Sequence, residues 1–413
     1  MSRVVVTVFC GRQDRTPLLM GHLRRLCEAG EVAEVHMWDY CRQADDQRWL
    51  RGLGLPLRYT ATTHDYVGEV ALVGAQEHRF RVQAQTNVHV LFVSAEGAEH
   101  ELFMGNACTE FRVGRGDSAS DRVNTTSPSA RLAPNAAWSD VVVAWTPTTT
   151  TVAVNGQDPF TFARPANFDP TKAFHSTGFG HDGCWEIPAQ TYPHFRYFLA
   201  NPTSTHQWHS YYQYYYNRRD TLFADTIIVK CDDNVVAIDT QHFGDFIQFR
   251  RQNPQHLLVF PNIVNNGVAA YYQQQNGAIP TELMQLELPP TCGSLWESAA
   301  KCAALHAHFL SDPSRFAYAG SHVLPPHLRF SINFFAILPK DLVFFADAHV
   351  DDERDLSVNL CVQHGRTKCV FNGCYVSHLS FYSQEAGMNT GDLIAAYTAL
   401  LASTAPKLAP NTA

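Results

Sequence analysis

Two adjacent carboxylates are the strongest candidates for chemistry in this chain. Asp232 and Asp233, followed by Asn234, interrupt the stretch IIVKCDDNVVAID, which is otherwise apolar enough for the inside of a sheet. Burying two neighbouring carboxylates without partners is very costly, so we expect the pair where the buried strand over residues 227–229 leaves the sheet, facing a cation. Carboxylate oxygens suit Mn²⁺ or Mg²⁺ carrying substrate phosphates. A solvated acidic turn is the alternative interpretation.

Three more polar candidates follow the first two predicted strands. RVVVTVF is typical of a strand buried on both faces, residues 11–30 have apolar side chains at helical spacing, and VAEVHMWDY reads as a second strand. Ligands of open α/β sheets bind at the carboxyl ends of strands, where Gly11, Arg12 and Asp39 lie. Arg12 can neutralise a phosphate or stack on a base, and Asp39 can accept from a ribose hydroxyl or base N–H. Ordinary surface residues would fit the same positions.

The middle of the chain has a different pattern. Short alternating segments such as HRFRVQAQ, VHVLFVSA and DVVVAWT dominate residues 59–187, and Thr, Ser, Gly, Asn and Pro separate them. This pattern is typical of an antiparallel β-sandwich. Because helix and strand segments alternate again after residue 192, we expect the sandwich to be inserted into the α/β domain.

The resulting domain prediction has three parts. Residues 1–58 and 191–405 form a discontinuous α/β domain, residues 59–190 form the inserted sandwich, and residues 406–413 form a disordered tail. A chain of 413 residues is too long for one ordinary core, which agrees with two compact units.

Composition narrows the class of protein. The net charge of −8 and the lack of a long basic run argue against a nucleic-acid partner. No stretch has the features of a signal peptide or a transmembrane segment, so we expect a soluble, cytoplasmic protein. The 11 cysteines are scattered without a C-x-x-C pair, which predicts buried thiols rather than disulfides or a zinc site.

Four segments resemble a known family. VVVTVFCGRQDR…VHMWDY, IIVKCDDNVVAID, FPNIVNNGV and RFSINFFAILPKDL…DDE…YVSHLSFYSQ resemble, in this order, the GT-A-type nucleotide-sugar glycosyltransferases found in bacteria and large DNA viruses. The resemblance covers most of the chain outside the insert. It implies a GT-A-like, Rossmann-like mixed sheet flanked by helices, a Mn²⁺ or Mg²⁺ ion, and a nucleotide-diphosphate sugar, with UDP as the first choice of nucleotide.

The resemblance also assigns roles around the acidic pair. Asp232 and Asp233 would contact ribose and metal, and Lys230 of the same motif is assigned to donor binding. Asn234 stands where the family has its last acidic residue; its carbonyl can ligate a hard cation but brings no charge, so metal affinity would be lower or Asp233 would take that role. His378 resembles the late histidine that completes the metal or pyrophosphate site, although a packed histidine is the ordinary alternative.

Gly11, Arg12 and Asp39 match the family's base and ribose site. Asn262, Asn265 and Asn266 in PNIVNNG are candidates for hydrogen bonds to the donor sugar, and Asn265 and Asn266 are kept as donor-binding residues. A turn is the slightly better interpretation, since Asn-Asn-Gly is a strong turn sequence.

Asp351, Asp352 and Glu353 match the acidic motif that supplies the general base in inverting relatives. The acceptor hydroxyl must lose its proton as it attacks the anomeric carbon, and a carboxylate in hydrogen-bond reach can accept it. The metal would offset charge on the departing diphosphate. Asp352 is the first choice for the base and Glu353 the second, with a solvated turn as the alternative.

The insert has its own resemblance. HELFMGNACTEFRVGR, WSDVVVAWTPTTTTVAVNG and FHSTGFGHDGCWEI resemble the β-sandwich module named farnesoic acid O-methyltransferase-like, which implies a domain that binds a glycan or a protein. No glycine-rich loop suited to S-adenosylmethionine follows a strand. Trp138, Trp145 and Trp185 could stack on sugars, but core packing is the better prediction for them and for the tyrosines of YYQYYYN.

These observations predict a metal-dependent glycosyltransferase that moves a sugar from a UDP-sugar to the hydroxyl of a glycan or glycoconjugate. The acidic motif favours an inverting reaction, and a retaining reaction is the open alternative. The alternative is a non-catalytic carbohydrate-binding protein with a degenerate GT-A domain, and Asn234 is the residue that favours it. An S-adenosylmethionine methyltransferase is a third hypothesis, which predicts cofactor binding.

Overall fold

The computed structural model describes residues 3–61, 66–105, 107–116, 119–134, 137–177, 183–187, 192–199, 208–288, 295–346 and 351–404. The chain is a mixed α/β protein that divides into two compact units. The first comprises Met1–Gly52 and Ala200–Ala413, and the second comprises Leu53–Leu199. The tail predicted over residues 406–413 lies outside the described residues.

The first unit begins with a parallel β-α-β motif. Its elements are β1 (Arg3–Cys10), α1 (Thr16–Glu28), β2 (Glu34–Asp39) and α2 (Ala44–Gly52). The two strands pair in parallel from Val5 opposite Glu34 to Cys10 opposite Asp39. Leu19, Leu23 and Leu26 are fully buried along one face of α1, as their helical spacing predicts. The motif therefore brings the carboxyl ends of β1 and β2 to one edge of a sheet.

The second unit is built from thirteen described strands in two largely antiparallel sheets. The strands are β3 (Leu57–Ala61), β4 (Val67–Ala71), β5 (Glu77–Gln83), β6 (Val88–Ser94), β7 (Glu99–Met104), β8 (Thr109–Val113), β9 (Ser120–Thr125), β10 (Trp138–Trp145), β11 (Thr149–Val154), β12 (Phe160–Ala163), β13 (Pro170–Thr177), β14 (Gly183–Ile187) and β15 (Phe195–Leu199). One sheet has the order β12-β11-β10-β5-β14-β3-β15, and the other has the order β4-β13-β6-β7-β8-β9.

A common apolar core fills this sandwich-like unit. Buried side chains alternate with partly or fully exposed ones along β5 and β11, which is the period of a half-buried strand. Phe80, Phe92 and Phe111 pack there with Trp145 and Trp185. The core prediction is confirmed for these two tryptophans. Trp138 is instead partly exposed, with the guanidinium groups of Arg58 and Arg81 5.7 and 5.1 Å from its ring centre.

The first unit resumes after the sandwich with helices and strands in alternation. These elements are α3 (His209–Asn217), β16 (Thr226–Asp232), β17 (Val235–Ile238), α4 (Phe243–Gln252), β18 (His256–Val264), α5 (Gly267–Gln275), α6 (Ala299–Ser311), β19 (Ser321–Leu324), β20 (Phe334–Ile337), α7 (Asp352–Arg354), α8 (Leu360–Gln363), β21 (Thr367–His378), α9 (Tyr382–Glu385) and α10 (Thr390–Ser403). Short 3₁₀ segments include Leu295–Glu297, Pro313–Phe316 and Pro339–Phe345, and a π-helical turn spans Asp355–Asn359.

The mixed sheet of this unit has the strand order β2-β1-β16-β20-β18-β21-β17, and β19 pairs with β21. β16 is parallel to β1, β20 is antiparallel to both β16 and β18, and β18 is parallel to β21. Five strands, namely β1, β2, β16, β18 and β21, therefore run in the same direction. Their carboxyl ends lie along one edge of the sheet.

Two predictions about burial are confirmed in the described residues. Four tyrosines of α3, namely Tyr211, Tyr212, Tyr214 and Tyr215, are buried and pack edge to face with one another. The described cysteines all carry free thiols, and most are buried. No helix in the described ranges is long and apolar enough to cross a bilayer.

Candidate functional site

The polar candidates collect where the parallel strands end. Asp39 is the last residue of β2, Asp232 is the last of β16, and His378 is the last of β21. Gly11 follows β1, and Asn265 follows β18. This common edge results from strand direction, so residues more than 300 positions apart in sequence share one site.

Asp232 is held by groups from β16 and from the segment before β20. Lys230 Nζ and Asn333 Nδ2 donate to its two carboxylate oxygens, the latter at 3.1 Å. Lys230 is 2% exposed and also donates to the carbonyl oxygen of Ile332 at 2.9 Å. The Lys230 ammonium lies 4.6 Å from the ring centre of Phe9. A buried cation therefore neutralises the first carboxylate of the pair.

Asp233 faces the turn after β1. Its Oδ2 accepts from the backbone N–H of Gly11 at 2.7 Å. A Cβ at position 11 would lie 3.0 Å from this oxygen, so the close approach of backbone and carboxylate favours glycine. Burial raises the pKa of Asp233 to about 6, Asp232 raises it further, and Arg12, Arg15 and the Gly11 N–H oppose the shift. The carboxylate therefore lies where an added positive charge would be favourable.

Asn234 anchors a pair of arginines. Its Oδ1 accepts from Nη1 of both Arg12 and Arg15, the latter at 2.7 Å, and its Nδ2 donates to the carbonyl oxygen of Ser380 at 3.0 Å. Glu385 Oε1 accepts from the same two arginines at 3.0 and 3.1 Å. Arg15 and Glu385 were not predicted as site residues. Arg15 lies in the same GRQDR segment as Arg12, which was the available signal.

His378 is buried beside this cluster with one nitrogen unused. It is 2% exposed, and its Nδ1 has no hydrogen-bond partner. Burial lowers the pKa of His378 to about 3, opposed by the nearby charge of Asp232 and supported by Arg12 and Arg15. The ring of Phe381 lies 4.6 Å away between ring centres. The side chain is thus a neutral imidazole at neutral pH, with an unsatisfied atom.

Asp39 lies at the other end of the same edge. It is 7% exposed and accepts from the Cys41 N–H at 3.3 Å and from Gln47 Nε2 at 3.2 Å. Burial raises the pKa of Cys41 to about 12, with further contributions from Asp39 and from Asp233. Because both carboxylates raise the pKa of the same thiol, the carboxyl ends of β2 and β16 lie close together.

The acidic run at residues 351–353 divides between two environments. Asp352 Oδ2 accepts from the Tyr212 hydroxyl at 2.9 Å. Burial raises the pKa of Asp352, Asp232 raises it further, and Lys230 opposes the shift, so this carboxylate lies close to Asp232 and Lys230. Asp351 and Glu353 instead both bind Arg329, at 3.0 and 2.6 Å.

The asparagines after β18 have mainly structural contacts. Asn265 has a φ of 65° and exchanges two side-chain hydrogen bonds with Gln384, at 3.0 and 3.1 Å. Asn266 caps α5 by accepting from the N–H groups of Val268 and Ala269. Asn262 is buried and bonded to Gln273. These contacts suit the turn interpretation of PNIVNNG, although Asn266 Nδ2 has no partner.

A cleft of about 910 Å³ opens beside the cluster in the same unit. Its lining includes Asn266, Trp296, Leu328, Glu353, Phe381 and Tyr382. Phe381 also packs on His378, so one aromatic ring separates the cleft from the polar cluster. The cleft was not predicted from the sequence, because its lining comes from six separate segments.

The side chains of this cluster include the types of atom that ligate a divalent cation. Asp232 and Asp233 offer carboxylate oxygens, and His378 offers an unsatisfied neutral nitrogen, which are ligands that Mn²⁺ accepts. Within the described ranges, no three His, Cys, Asp or Glu side chains are close enough to form a preassembled metal site. Asn234 is less suited, because its oxygen is engaged by two guanidinium groups.

The solved structures that resemble this chain match about a third of it. No protein-family profile and no curated protein matches it. Among solved structures, sheep galectin-11 is 12% identical, with 31% of this chain and 98% of that chain covered and a TM-score of 0.22. A Caenorhabditis elegans galectin is 8% identical, covering 32% and 96%, with a TM-score of 0.24. A β-glucanase of Bacillus licheniformis is 11% identical, covering 32% and 76%, with a TM-score of 0.24.

Proposed function

We propose that the first unit is a metal-dependent glycosyltransferase of the GT-A type, which transfers a sugar from a nucleotide-diphosphate sugar to a glycan hydroxyl. The observation that supports this most strongly is the shared strand edge. It brings Asp39, the pair Asp232 and Asp233, and His378 together, with Asp352 facing Asp232 and Lys230. Such an edge is where open α/β sheets bind nucleotides.

The donor diphosphate would lie among the cations at this edge. Arg12, Arg15 and Lys230 supply three positive charges around the acidic pair. A guanidinium can bind a phosphate with two parallel hydrogen bonds, which also fixes its orientation. Asp232, Asp233 and His378, which do not form a preassembled metal site, would move together to hold the divalent ion, which supplies charge stabilisation for the diphosphate leaving group. Asn234 would position the two arginines rather than ligate the ion.

The proton of the acceptor hydroxyl would pass to a carboxylate of the 351–353 run. Burial raises the pKa of Asp352, which makes this side chain a better proton acceptor once it is ionised. Tyr212 fixes its orientation by donating to Oδ2. Glu353 is the second choice, because it lines the cleft but is paired with Arg329. A base of this kind corresponds to an inverting reaction.

One observation supports a second candidate, a carbohydrate-binding protein without turnover. The oxygen of Asn234 is occupied by Arg12 and Arg15, so the position that carries an acidic residue in the resembled family has a structural role in this chain. In this alternative the edge would bind a glycan or nucleotide without cleaving it. The sandwich unit would supply a further glycan or protein site.

Donor hydrolysis tests the proposal without knowledge of the acceptor. The full chain is incubated with a panel of UDP-, GDP- and dTDP-sugars, with Mn²⁺, with Mg²⁺ or with EDTA, and release of the free nucleotide diphosphate is measured. We expect Mn²⁺-dependent release from at least one UDP-sugar and a loss of at least about 100-fold in Asp232→Ala. Asp220→Ala, which removes an exposed carboxylate that pairs with the neighbouring Arg219, is the matched control.

Two results would contradict the proposal. Glycan binding without turnover of any donor would favour the non-catalytic alternative. Melting-temperature stabilisation by S-adenosylmethionine, but not by any nucleotide sugar with Mn²⁺, would favour the methyltransferase hypothesis, because ligands that prefer the native state raise its melting point.

A further inference from the structure

The cleft beside the polar cluster has an aromatic wall that the protein holds in place. Trp296 and Tyr382 lie on two separate segments, the 3₁₀ turn Leu295–Glu297 and helix α9. Ser383 Oγ donates to the Trp296 carbonyl at 2.5 Å, and Gln384 Nε2 donates to the Leu295 carbonyl at 2.7 Å. Because these bonds connect the two segments, the wall exists before any ligand binds.

A second wall of the cleft is fixed by a buried lysine. Lys368 is fully buried, and its Nζ donates to the carbonyl oxygens of Pro325 and Pro326 at 2.8 and 3.0 Å. Pro325 and Leu328 line the cleft. A side chain that is buried to hold two successive loop carbonyls makes this wall rigid rather than adaptable.

The cleft is neutral. Two of its described lining residues, Arg329 and Glu353, carry opposite charges. Arg329 Nε donates a hydrogen bond to Glu353 Oε1 at 2.6 Å, so the two charges cancel. Aromatic and aliphatic side chains make up most of the remaining lining, including Tyr382, which is 80% exposed. An exposed tyrosine beside a tryptophan in a neutral cleft is suited to a ligand with an apolar face and hydroxyl groups around it.

One of the residues that line this cleft has a side-chain nitrogen without a partner. Asn266 is 1% exposed, its Oδ1 is used to cap α5, and its Nδ2 has no hydrogen-bond partner. A buried unpaired amide costs free energy unless a ligand or water accepts from it. A ligand oxygen would satisfy it, whereas an acyl chain would not.

We propose that this cleft binds the acceptor as the end of a neutral oligosaccharide, with Trp296 and Tyr382 stacking on the carbon–hydrogen face of a sugar ring and Asn266 donating to a sugar oxygen. The inference rests on the proposed function, since the ligand is called an acceptor only if a donor site lies beyond Phe381. It names the substrate class that the sequence left open. Acidic glycans and acyl chains are the competing ligands. Neither matches a neutral cleft with an unpaired amide N–H as well as a neutral oligosaccharide does.

Direct binding measurements on the full chain test this inference. The probes are neutral oligosaccharides of two to four hexose residues, their sulfated counterparts, and phosphatidylcholine vesicles, without any donor present. The chains are the wild type, Trp296→Ala, Tyr382→Ala and the control Tyr271→Ala, which removes a partly exposed tyrosine of α5 that does not line the cleft. Melting temperatures confirm that each variant is folded, and Trp296→Phe replaces Trp296→Ala if the latter is not.

We expect the wild type and Tyr271→Ala to bind at least one neutral oligosaccharide equally well, and both cleft variants to bind it about tenfold more weakly. Equal binding by all four chains would place the glycan elsewhere and overturn the inference, as would binding only to sulfated glycans, only to vesicles, or to none of the probes. Failure of the proposed function has a different signature. Donor hydrolysis would then be absent while the cleft variants still weakened saccharide binding.

Discussion

Asp233 shows how a carboxylate inside the candidate site can work against the stability of its own fold. Burial raises its pKa to about 6, although Gly11, Arg12 and Arg15 all stabilise the ionised form. The unfolded side chain ionises near its ordinary value of 3.8. The protonated form therefore favours folding below pH 4, and that contribution is lost as the pH rises through 6. A bound cation would reverse this effect, which is consistent with a site built for one.

We therefore predict that Asp233→Asn stabilises the protein at neutral pH. The amide is neutral and can still accept from the Gly11 N–H, so it removes the cost of a buried charge. We expect the melting temperature of the variant to exceed that of the wild type at pH 7.5 and to match it at pH 4. Asp220→Asn, whose side chain is 78% exposed, should change neither value. A variant that is less stable than the wild type at pH 7.5 would contradict the conclusion that the charge of Asp233 destabilises the fold.

The unused nitrogen of His378 leads to a second prediction at this scale. If Nδ1 is a ligand, His378→Ala should raise the Mn²⁺ concentration needed for half-maximal thermal stabilisation by UDP at least about tenfold. His322→Ala, which removes a partly exposed histidine that stacks on Tyr272, is the control. An unchanged Mn²⁺ requirement in His378→Ala would show that the histidine is a packed core residue, as its burial alone would suggest.

The sequence pointed to several residues of this cluster but not to the contacts between them. Asp232, Asp233 and His378 were identified because unpaired carboxylates do not remain inside a sheet and because the flanking motifs resemble a family. The bonds of Asn234 to Arg15 and of Arg15 to Glu385 join positions 219 and 370 residues apart, respectively. Such contacts depend on the order of strands in the sheet, which a periodicity pattern does not contain.

At the scale of elements, the turn after β18 is held in an uncommon backbone conformation. Asn265 has a φ of 65°, where a Cβ is unfavourable, and two hydrogen bonds with Gln384 compensate for this. The same glutamine connects to the Trp296 segment through the Leu295 carbonyl. The turn therefore links the carboxyl end of β18 to the aromatic wall of the cleft.

Two substitutions separate the conformational and the hydrogen-bonding roles of Asn265. Asn265→Ala removes the hydrogen bonds and disfavours the left-handed backbone, so it should lower the free energy of unfolding by about 3 kcal/mol. Asn265→Gly removes only the hydrogen bonds, so it should lower the free energy of unfolding by about 1–2 kcal/mol. Urea unfolding of both variants measures the difference. Equal losses in the two variants would mean that the left-handed backbone contributes nothing.

Strand β21 shows where periodicity failed to predict an element. Its residues Lys368, Asn372, Ser377 and His378 are buried polar groups within a twelve-residue strand. Each breaks the apolar pattern by which a central strand is detected. Lys368 and Ser377 are satisfied by partners far away in sequence, Pro325 and Tyr397. Strand β1 and residues 227–229 of β16 were predicted because their buried side chains are mostly apolar.

At the scale of the whole molecule, several histidines are buried in their neutral form. Burial lowers the pKa of His22, His78 and His306 to about 4 and that of His378 to about 3. Because unfolded histidine binds a proton near pH 6.5, the stability of the neutral form is complete above that value and is lost as the pH falls towards 4. Acidification therefore destabilises the fold through these four histidines, whereas it stabilises the fold through the single carboxyl group of Asp233.

We therefore predict that the protein loses stability between pH 7 and pH 5. Each buried histidine should contribute up to about 2 kcal/mol of this loss, so denaturant unfolding at the two pH values gives a direct measure. His22→Leu should reduce the number of protons taken up on unfolding at pH 5 by about one. A stability that stays constant or rises on acidification to pH 5 would contradict the assignment of neutral histidines.

The central claim is that the carboxyl ends of β1, β2, β16 and β21 form one metal and nucleotide-diphosphate site. Calorimetric titration of UDP into the full chain with and without Mn²⁺ tests it most directly, using the wild type and Asp233→Ala. We expect UDP to bind the wild type at least about tenfold more tightly when Mn²⁺ is present, and this enhancement to disappear in Asp233→Ala. UDP binding that is absent, or that is equally strong without Mn²⁺ and in Asp233→Ala, would contradict the claim.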